Sequence, residues 1–244
     1  MKQVKILGVP FLHTDQKSFV SLLDQRIQQN EKTFVITANP EIVMKANEDV
    51  NLMNCIHKAT YITADGIGVV KAAQLLRSPL PERVTGYDTM MQLLEVANRN
   101  AYRIFLLGAK NETLRKTITA ISSTYPAIHI AGSHDGYFDW QDNVLTEKIG
   151  TSKPDIIFVA LGAPRQEEWI AENLDKFETG VFIGVGGSFD VIAGTVKRAP
   201  VFWQKVNLEW FYRLLKQPTR WRRMMALPQF AIHILKQKAK ELTS

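Results

Sequence analysis

The sequence predicts a doubly wound, Rossmann-like α/β domain, a mainly parallel sheet with helices on both faces, followed by a basic helical appendage. Three observations carry this. Short apolar runs alternate with longer helical patterns through residues 1–194, as in sheets with crossover helices. Most of those runs are continuously apolar, which suits strands covered on both sides. After residue 194 the texture changes to segments rich in arginine and aromatics.

In chain order, residues 4–7 read as the first strand and 17–29 as the first helix. A strand at 33–36 feeds a helix at 40–47, with Asn39 placed as N-cap and Pro40 at the first helical position. The strand at 61–63 leads to helix 67–76, and a helix at 89–98 follows, with Asp88 as its N-cap. Strand 103–107 precedes helix 112–125, which Asn111 would cap. Strand 129–131 and helix 143–149 come next. Strand 156–161, helix 165–173 and strand 181–185 complete the domain. Many strands end in polar or glycine-bearing turns, which a parallel sheet gathers at one edge, where ligands bind.

The 244 residues and 27.7 kDa allow one large domain or two small ones. With 45% hydrophobic and 22% charged residues, a packed core is expected and wholesale disorder is not. Cys55 is the single cysteine, which excludes an intramolecular disulfide framework and a cysteine-rich zinc module. No apolar stretch reaches the ~20 residues of a spanning helix, and the first residues lack a signal-peptide apolar region. The expected place is the cytoplasm.

Charge divides the chain. Residues 1–194 hold 19 Lys+Arg and 22 Asp+Glu, a net of −3, whereas residues 195–244 hold 11 and 2, a net of +9, which together give the +6 of the chain. The tail also contains Trp203, Trp210 and Trp221. Leu208, Phe211, Tyr212 and Leu215 form a stripe at helical spacing, and residues 224–235 are apolar between basic flanks, an interfacial pattern. Such a tail points to an anionic surface, a membrane or a nucleic acid. The sequence divides accordingly into a domain at 1–194 and a docking tail at 195–244.

Several strand ends carry candidate chemistry. In Thr37-Ala38-Asn39-Pro40-Glu41 the polar residues either line a ligand site or simply start a helix. Asp65, in Ala64-Asp65-Gly66, is either a general base at a strand mouth or the cap of the next helix. Gly108 closes another strand. Gly184-Val185-Gly186-Gly187-Ser188-Phe189-Asp190 offers backbone N–H groups to a phosphate or ribose, or is a tight turn; lacking a third glycine, it disfavours hydride transfer. Arg83 and Arg165 with Gln166 stand in loops before helices, where an arginine fork suits a diphosphate. No phosphate loop, nucleophile elbow, HExxH or Asp-x-Asp metal pair is present, and His13, His57, His129, His134 and His233 lack ligand spacing. Neither a metal nor a cofactor is indicated.

The ordered set resembles the WecG/TagA/CpsF family of bacterial glycosyltransferases, and within it the TagA/TarA branch of wall teichoic acid synthesis. It comprises the segments at Thr37 to Glu41 and Ala64 to Gly66, Arg83-Val84-Thr85-Gly86-Tyr87-Asp88, Leu161-Gly162-Ala163-Pro164-Arg165-Gln166-Glu167, the 184–190 turn, Arg198-Ala199-Pro200 and the segment 208–214. The resemblance implies an inverting, metal-independent transferase that moves N-acetylmannosamine from UDP-N-acetylmannosamine to the 4-hydroxyl of N-acetylglucosamine on undecaprenyl diphosphate. It implies Asp65 as base, Thr37, Asn39 and Gln166 as sugar or substrate contacts, Arg83 as diphosphate partner and Asp190 near the nucleoside. Gly108 and Gly186 join the substrate-binding candidates. For a lipid-linked acceptor, Arg213, Arg220 and Arg223 are expected to meet phosphates at the inner face of the membrane. Two other readings stand beside this one: a relative using the uronic acid of N-acetylmannosamine or another UDP-sugar, and a nucleic-acid binding module, which leaves the strand-end loops without a purpose.

Overall fold

The computed structural model describes residues 1–140, 143–216, 218 and 221–243. The chain opens with an antiparallel hairpin, β1 (Gln3–Ile6) and β2 (Val9–Leu12), joined by Leu7 and Gly8 at positive φ. Helix α1 (Gln16–Gln28) leads to β3 (Thr33–Ala38), and α2 (Pro40–Glu48) and α3 (Val50–Lys58) precede β4 (Tyr61–Ala64). Then come α4 (Ile67–Leu75), α5 (Gly86–Asn100), β5 (Arg103–Gly108), α6 (Asn111–Thr124), β6 (His129–His134), α7 (Val144–Ser152) and β7 (Ile156–Ala160). Helix α8 (Arg165–Asn173), a 3₁₀ turn (Leu174–Lys176), β8 (Val181–Gly184) and α9 (Ser188–Ile192) finish the sheet region. The tail forms α10 (Val201–Lys205), α11 (Glu209–Lys216), α12 (Trp221–Met224) and α13 (Ala226–Thr243).

The main sheet has six strands in the order β4-β3-β8-β7-β5-β6, all parallel. Successive side chains enter opposite layers. Phe34, Ile36 and Ala38 join one apolar cluster and Val35 the other; Phe105 and Leu107 alternate with Ile104 and Leu106, and Ile157 and Val159 with Ile156 and Phe158. Both faces are therefore buried, as the continuous apolar runs require. The first layer contains residues of the β1–β2 hairpin, α2, α3, α4 and α8; the second contains residues of α1, α5 and α6.

Several local expectations are corrected. Residues 4–7 stay out of the main sheet and pair with 9–12, a strand the sequence reading lacks, because Pro10 confines that segment to a two-stranded edge. A third helix, Val50–Lys58, was also missed; Asp49 ends α2 and caps α3, accepting from Asn51 and Leu52 N–H groups. Asp88 does not cap its helix. Thr85 does, accepting the Asp88 N–H at 3.0 Å, and Asp88 accepts the Thr85 hydroxyl at 2.8 Å, so the helix starts at Gly86. Lys110, rather than Asn111, is the N-cap of α6. Asn39 does cap α2, its Oδ1 accepting from Ile42 N–H at 3.0 Å with Pro40 next.

The tail folds back onto the sheet domain. Phe230 and Ile234 of α13 are buried in the first apolar cluster, and Gln237 accepts the Leu7 N–H at 2.9 Å. The 208–215 stripe is less covered: Leu208, Phe211 and Leu215 are exposed, as are Val201, Phe202 and Trp221. Among the described residues, no helix is long and apolar enough to cross a membrane.

Candidate active site

A cavity of about 730 Å³ opens at the carboxyl ends of β4, β3, β8 and β7, four neighbours in the sheet. Thr37 and Asn39 follow from β3, Asp65 from β4, Gly162 and Gln166 from the turn after β7, and Gly186 from the turn after β8; Arg83 and Gly86 come from the start of α5. Its size is that of a nucleotide-scale ligand site. Tail residues of α12 and α13, among them Met224, Leu227 and Phe230, form an apolar wall beside α4.

Each polar side chain is held by its surroundings. The Thr37 hydroxyl donates to the Gly184 carbonyl at 3.3 Å, and the Asp65 backbone N–H donates to Ala38 O at 3.0 Å. The N-cap position of α4 is Gly66, without a side-chain bond, rather than Asp65. Gln166 is 4% exposed, accepts the Gly186 N–H at 3.0 Å and donates through Nε2 to Glu167 at 2.8 Å. Gly184 must be glycine for this: a Cβ there would stand 2.5 Å from Gln166 Nε2.

Cations and acids interlock where the tail meets the domain. Arg83 lies 3.6 Å from Glu209 of α11. Arg198 grips Asp88 with both terminal nitrogens, at 2.8 and 3.1 Å, lies over the Tyr87 ring at 4.4 Å and approaches Glu209 at 3.8 Å. Burial works against ionisation of Asp88, but the hydrogen bonds from Arg198 and Thr85 outweigh it and hold the carboxyl below its ordinary range. Glu209 is buried and faces two guanidinium groups, so it ties α11 to the cavity rim.

Thr37, Asn39, Asp65, Arg83, Gln166 and Gly186 thus meet in one cavity. Gly108 and Asp190 do not line it. Strand β5 stands beyond β7, and at φ 121° Gly108 presses on the Ala160 backbone, where a Cβ would approach to 2.5 Å. Asp190 accepts the Thr195 hydroxyl through its carbonyl at 2.9 Å and its carboxylate at 3.3 Å. Arg220 lies outside the described residues, as do the side chains of Arg213 and Arg223. Arg198, Glu209 and Lys71 line the cavity although the sequence reading gave them no role. Arg198 stands in one of the quoted motifs, yet its partner Asp88 is 110 residues away, a pairing no local pattern reveals. No group of three or more His, Cys, Asp or Glu able to hold a metal ion gathers among the described residues.

The profile described as "Glycosyl transferase WecG/TagA/CpsF family" matches residues 4–244. Three curated relatives are named N-acetylglucosaminyldiphosphoundecaprenol N-acetyl-beta-D-mannosaminyltransferase. That of Bacillus subtilis is 42% identical, covering 100% of this chain and 95% of its own length. That of Bacillus spizizenii is 41% identical over 97% of this chain and 92% of its own. The Staphylococcus aureus protein is 42% identical over 98% and 94%.

Proposed function

The chain belongs to the WecG/TagA/CpsF family of glycosyltransferases, and from that premise we propose that it transfers N-acetylmannosamine from UDP-N-acetylmannosamine to the 4-hydroxyl of N-acetylglucosamine on undecaprenyl diphosphate, with inversion. This is an early step of wall teichoic acid linkage-unit synthesis. One observation carries the reading: a single nucleotide-sized cavity joins Thr37, Asn39, Asp65, Arg83 and Gln166 in a chain alike along its whole length to transferases named for that reaction.

Inversion calls for one displacement. The acceptor oxygen bonds to the anomeric carbon while the bond from that carbon to the UDP oxygen breaks, and UDP leaves with the electron pair. Asp65 takes the acceptor's proton, an assistance worth typically 10²- to 10⁴-fold. Arg83, aided by the positive helix ends at the rim, stabilises the departing diphosphate. Thr37, Asn39 and Gln166 orient the donor sugar. With cations already fixed beside the leaving group, the transfer is expected to run without a divalent ion.

The acceptor sits in a membrane, so the enzyme must reach it. The exposed Phe202, Leu215 and Trp221 on a basic tail supply an interfacial surface. Each Lys or Arg near an anionic surface adds about 1 kcal/mol, and Arg213, Arg220 and Arg223 are assigned to lipid or acceptor phosphates. The protein would then work peripherally at the inner face of the cell membrane.

The decisive assay mixes the protein with UDP-N-acetylmannosamine and a short-chain lipid-linked N-acetylglucosamine, with and without chelator. A disaccharide-lipid formed at equal rates in both is expected. Lys71 adds a further cation to the cavity wall, so UDP-linked N-acetylmannosaminuronic acid runs in parallel; transfer from that donor alone would overturn the donor assignment.

A further inference from the structure

Glu167 does not line the cavity, yet it is 1% exposed and stands directly behind a residue that does. Its Oε1 accepts from Gln166 Nε2 at 2.8 Å, while its Oε2 has no hydrogen-bond partner among the described residues. Sealing a carboxyl away with one oxygen unsatisfied is costly, and an apolar side chain of similar volume would avoid that cost. The gain must lie in what the other oxygen does.

A glutamine amide can turn by half a revolution with almost no change of shape, exchanging its oxygen and nitrogen. Its neighbours decide the orientation. At one end the Gly186 N–H requires an acceptor at 3.0 Å; at the other the Glu167 oxygen requires a donor. Gly184, without a side chain, leaves room for the amide between them. One orientation satisfies both ends, and it leaves the second Nε2 hydrogen without a protein acceptor among the described residues, on a side chain that lines the cavity.

We propose that Glu167 is a positioning residue: it locks the Gln166 amide so that the carbonyl oxygen holds the Gly186 N–H and the remaining amide hydrogen is offered to the diphosphate-sugar donor. The turn after β8 and the amide after β7 then form one preorganised wall, set before the donor arrives. The effect on turnover rests on the transferase reading above; the hold on Gln166 does not.

The test uses the full chain. Glu167→Met keeps the volume and removes the acceptor, Glu167→Gln keeps a carbonyl in its place, and Glu167→Asp withdraws the carboxyl by one methylene should the methionine variant not fold. Hydrogen exchange at the Gly186 N–H, followed by NMR without ligand, should quicken about tenfold in Glu167→Met or Glu167→Asp and stay within about twofold in Glu167→Gln, since one hydrogen bond is worth roughly a factor of ten. Turnover should fall about tenfold in the same variants, with donor KM within about threefold, and recover in Glu167→Gln. Exchange and turnover both unchanged in Glu167→Met and Glu167→Asp overturn the proposal, and so does faster exchange with turnover intact. A wild-type chain that transfers no sugar defeats the reaction reading instead, and exchange at Gly186 then decides whether Glu167 holds Gln166.

Discussion

The two halves of one sheet rim are put to different uses. Along β4-β3-β8-β7 the strand ends stand back and their turns enclose the cavity; along β5-β6 the turns close on protein. Two glycines make the contrast plain. At the end of β8, the space where a Gly184 side chain would be is taken by the amide of Gln166, a cavity residue. At the end of β5, the corresponding space at Gly108 is taken by the backbone of Ala160. A glycine at a strand end marks a ligand only when the room it leaves serves the ligand side; otherwise it marks two strands brought close.

The sharpest way to break this comparison is to remove one acid from each edge. Asp65 follows β4, and Asp135 follows β6, where it accepts the Tyr137 N–H at 2.9 Å. Asp65→Asn should lower turnover by roughly 10²- to 10⁴-fold with UDP binding retained, while Asp135→Asn stays within about twofold. Steady-state transfer and calorimetric UDP titration measure both. Equal rates for the two variants would strip Asp65 of the base role and the rim of its asymmetry.

The glycines give the next contrast. Gly108→Ala puts a Cβ against rigid backbone at positive φ and should cost about 2–4 kcal/mol of stability, visible as a fall in melting temperature of roughly 5–15 °C. Gly184→Ala meets the Gln166 side chain, Nε2 at 2.5 Å, Cδ at 2.9 Å and Cγ at 3.1 Å, rather than backbone. It should melt within about 5 °C of wild type yet lose about tenfold in turnover as Gln166 is displaced. A reversed pattern would show that the packing explanation for Gly108 is wrong.

The tail extends the comparison, since α13 packs on α2 and α4, beside the cavity half of the rim. Cutting the chain at residue 194 would strip Phe230 and Ile234 from the core, so substitutions are the cleaner probe. Changing the exposed Phe202, Leu215 and Trp221 together to serine should lower binding to anionic vesicles about tenfold or more in sedimentation, with UDP affinity unchanged. Undiminished sedimentation would leave the tail a packing element only.

Much of this was legible in residue order. Five largely buried strands announced themselves because coverage on both faces makes them apolar, and Thr37, Asn39, Asp65, Gln166 and Gly186 stood out in the turns at their ends, with Arg83 in a loop before a helix. Which strand ends share the rim was not legible, because it depends on the order β4-β3-β8-β7-β5-β6; hence Gly108 looked equivalent to Gly186. The ties of Arg198 to Asp88 and Glu209 were hidden for a related reason, being contacts between distant segments. Glu167 read as part of a motif, and no local pattern shows that it is buried with its neighbour Gln166.

The smallest expected effect concerns that buried acid. Glu209 and Glu167 are the buried acids among the described residues; Glu209 has Arg83 and Arg198 beside it, while burial pushes the Glu167 carboxyl up to about 7. The charged groups acting on it are Glu168 on its own helix, which raises it further, and Lys45 of α2, which lowers it; Cys55 of α3, pushed up to about 11 by burial, stays neutral across the range. Because the folded chain binds this proton more tightly than the unfolded one, its contribution to stability is complete below about pH 4.5 and is lost as pH rises through about 7. Wild type should therefore lose several degrees of melting temperature between pH 5 and pH 8 beyond what Glu167→Gln loses, since an amide does not titrate. The difference between the two melting curves cancels every group they share. Parallel curves would mean that ionising Glu167 costs the fold nothing, and that burial does not hold its proton.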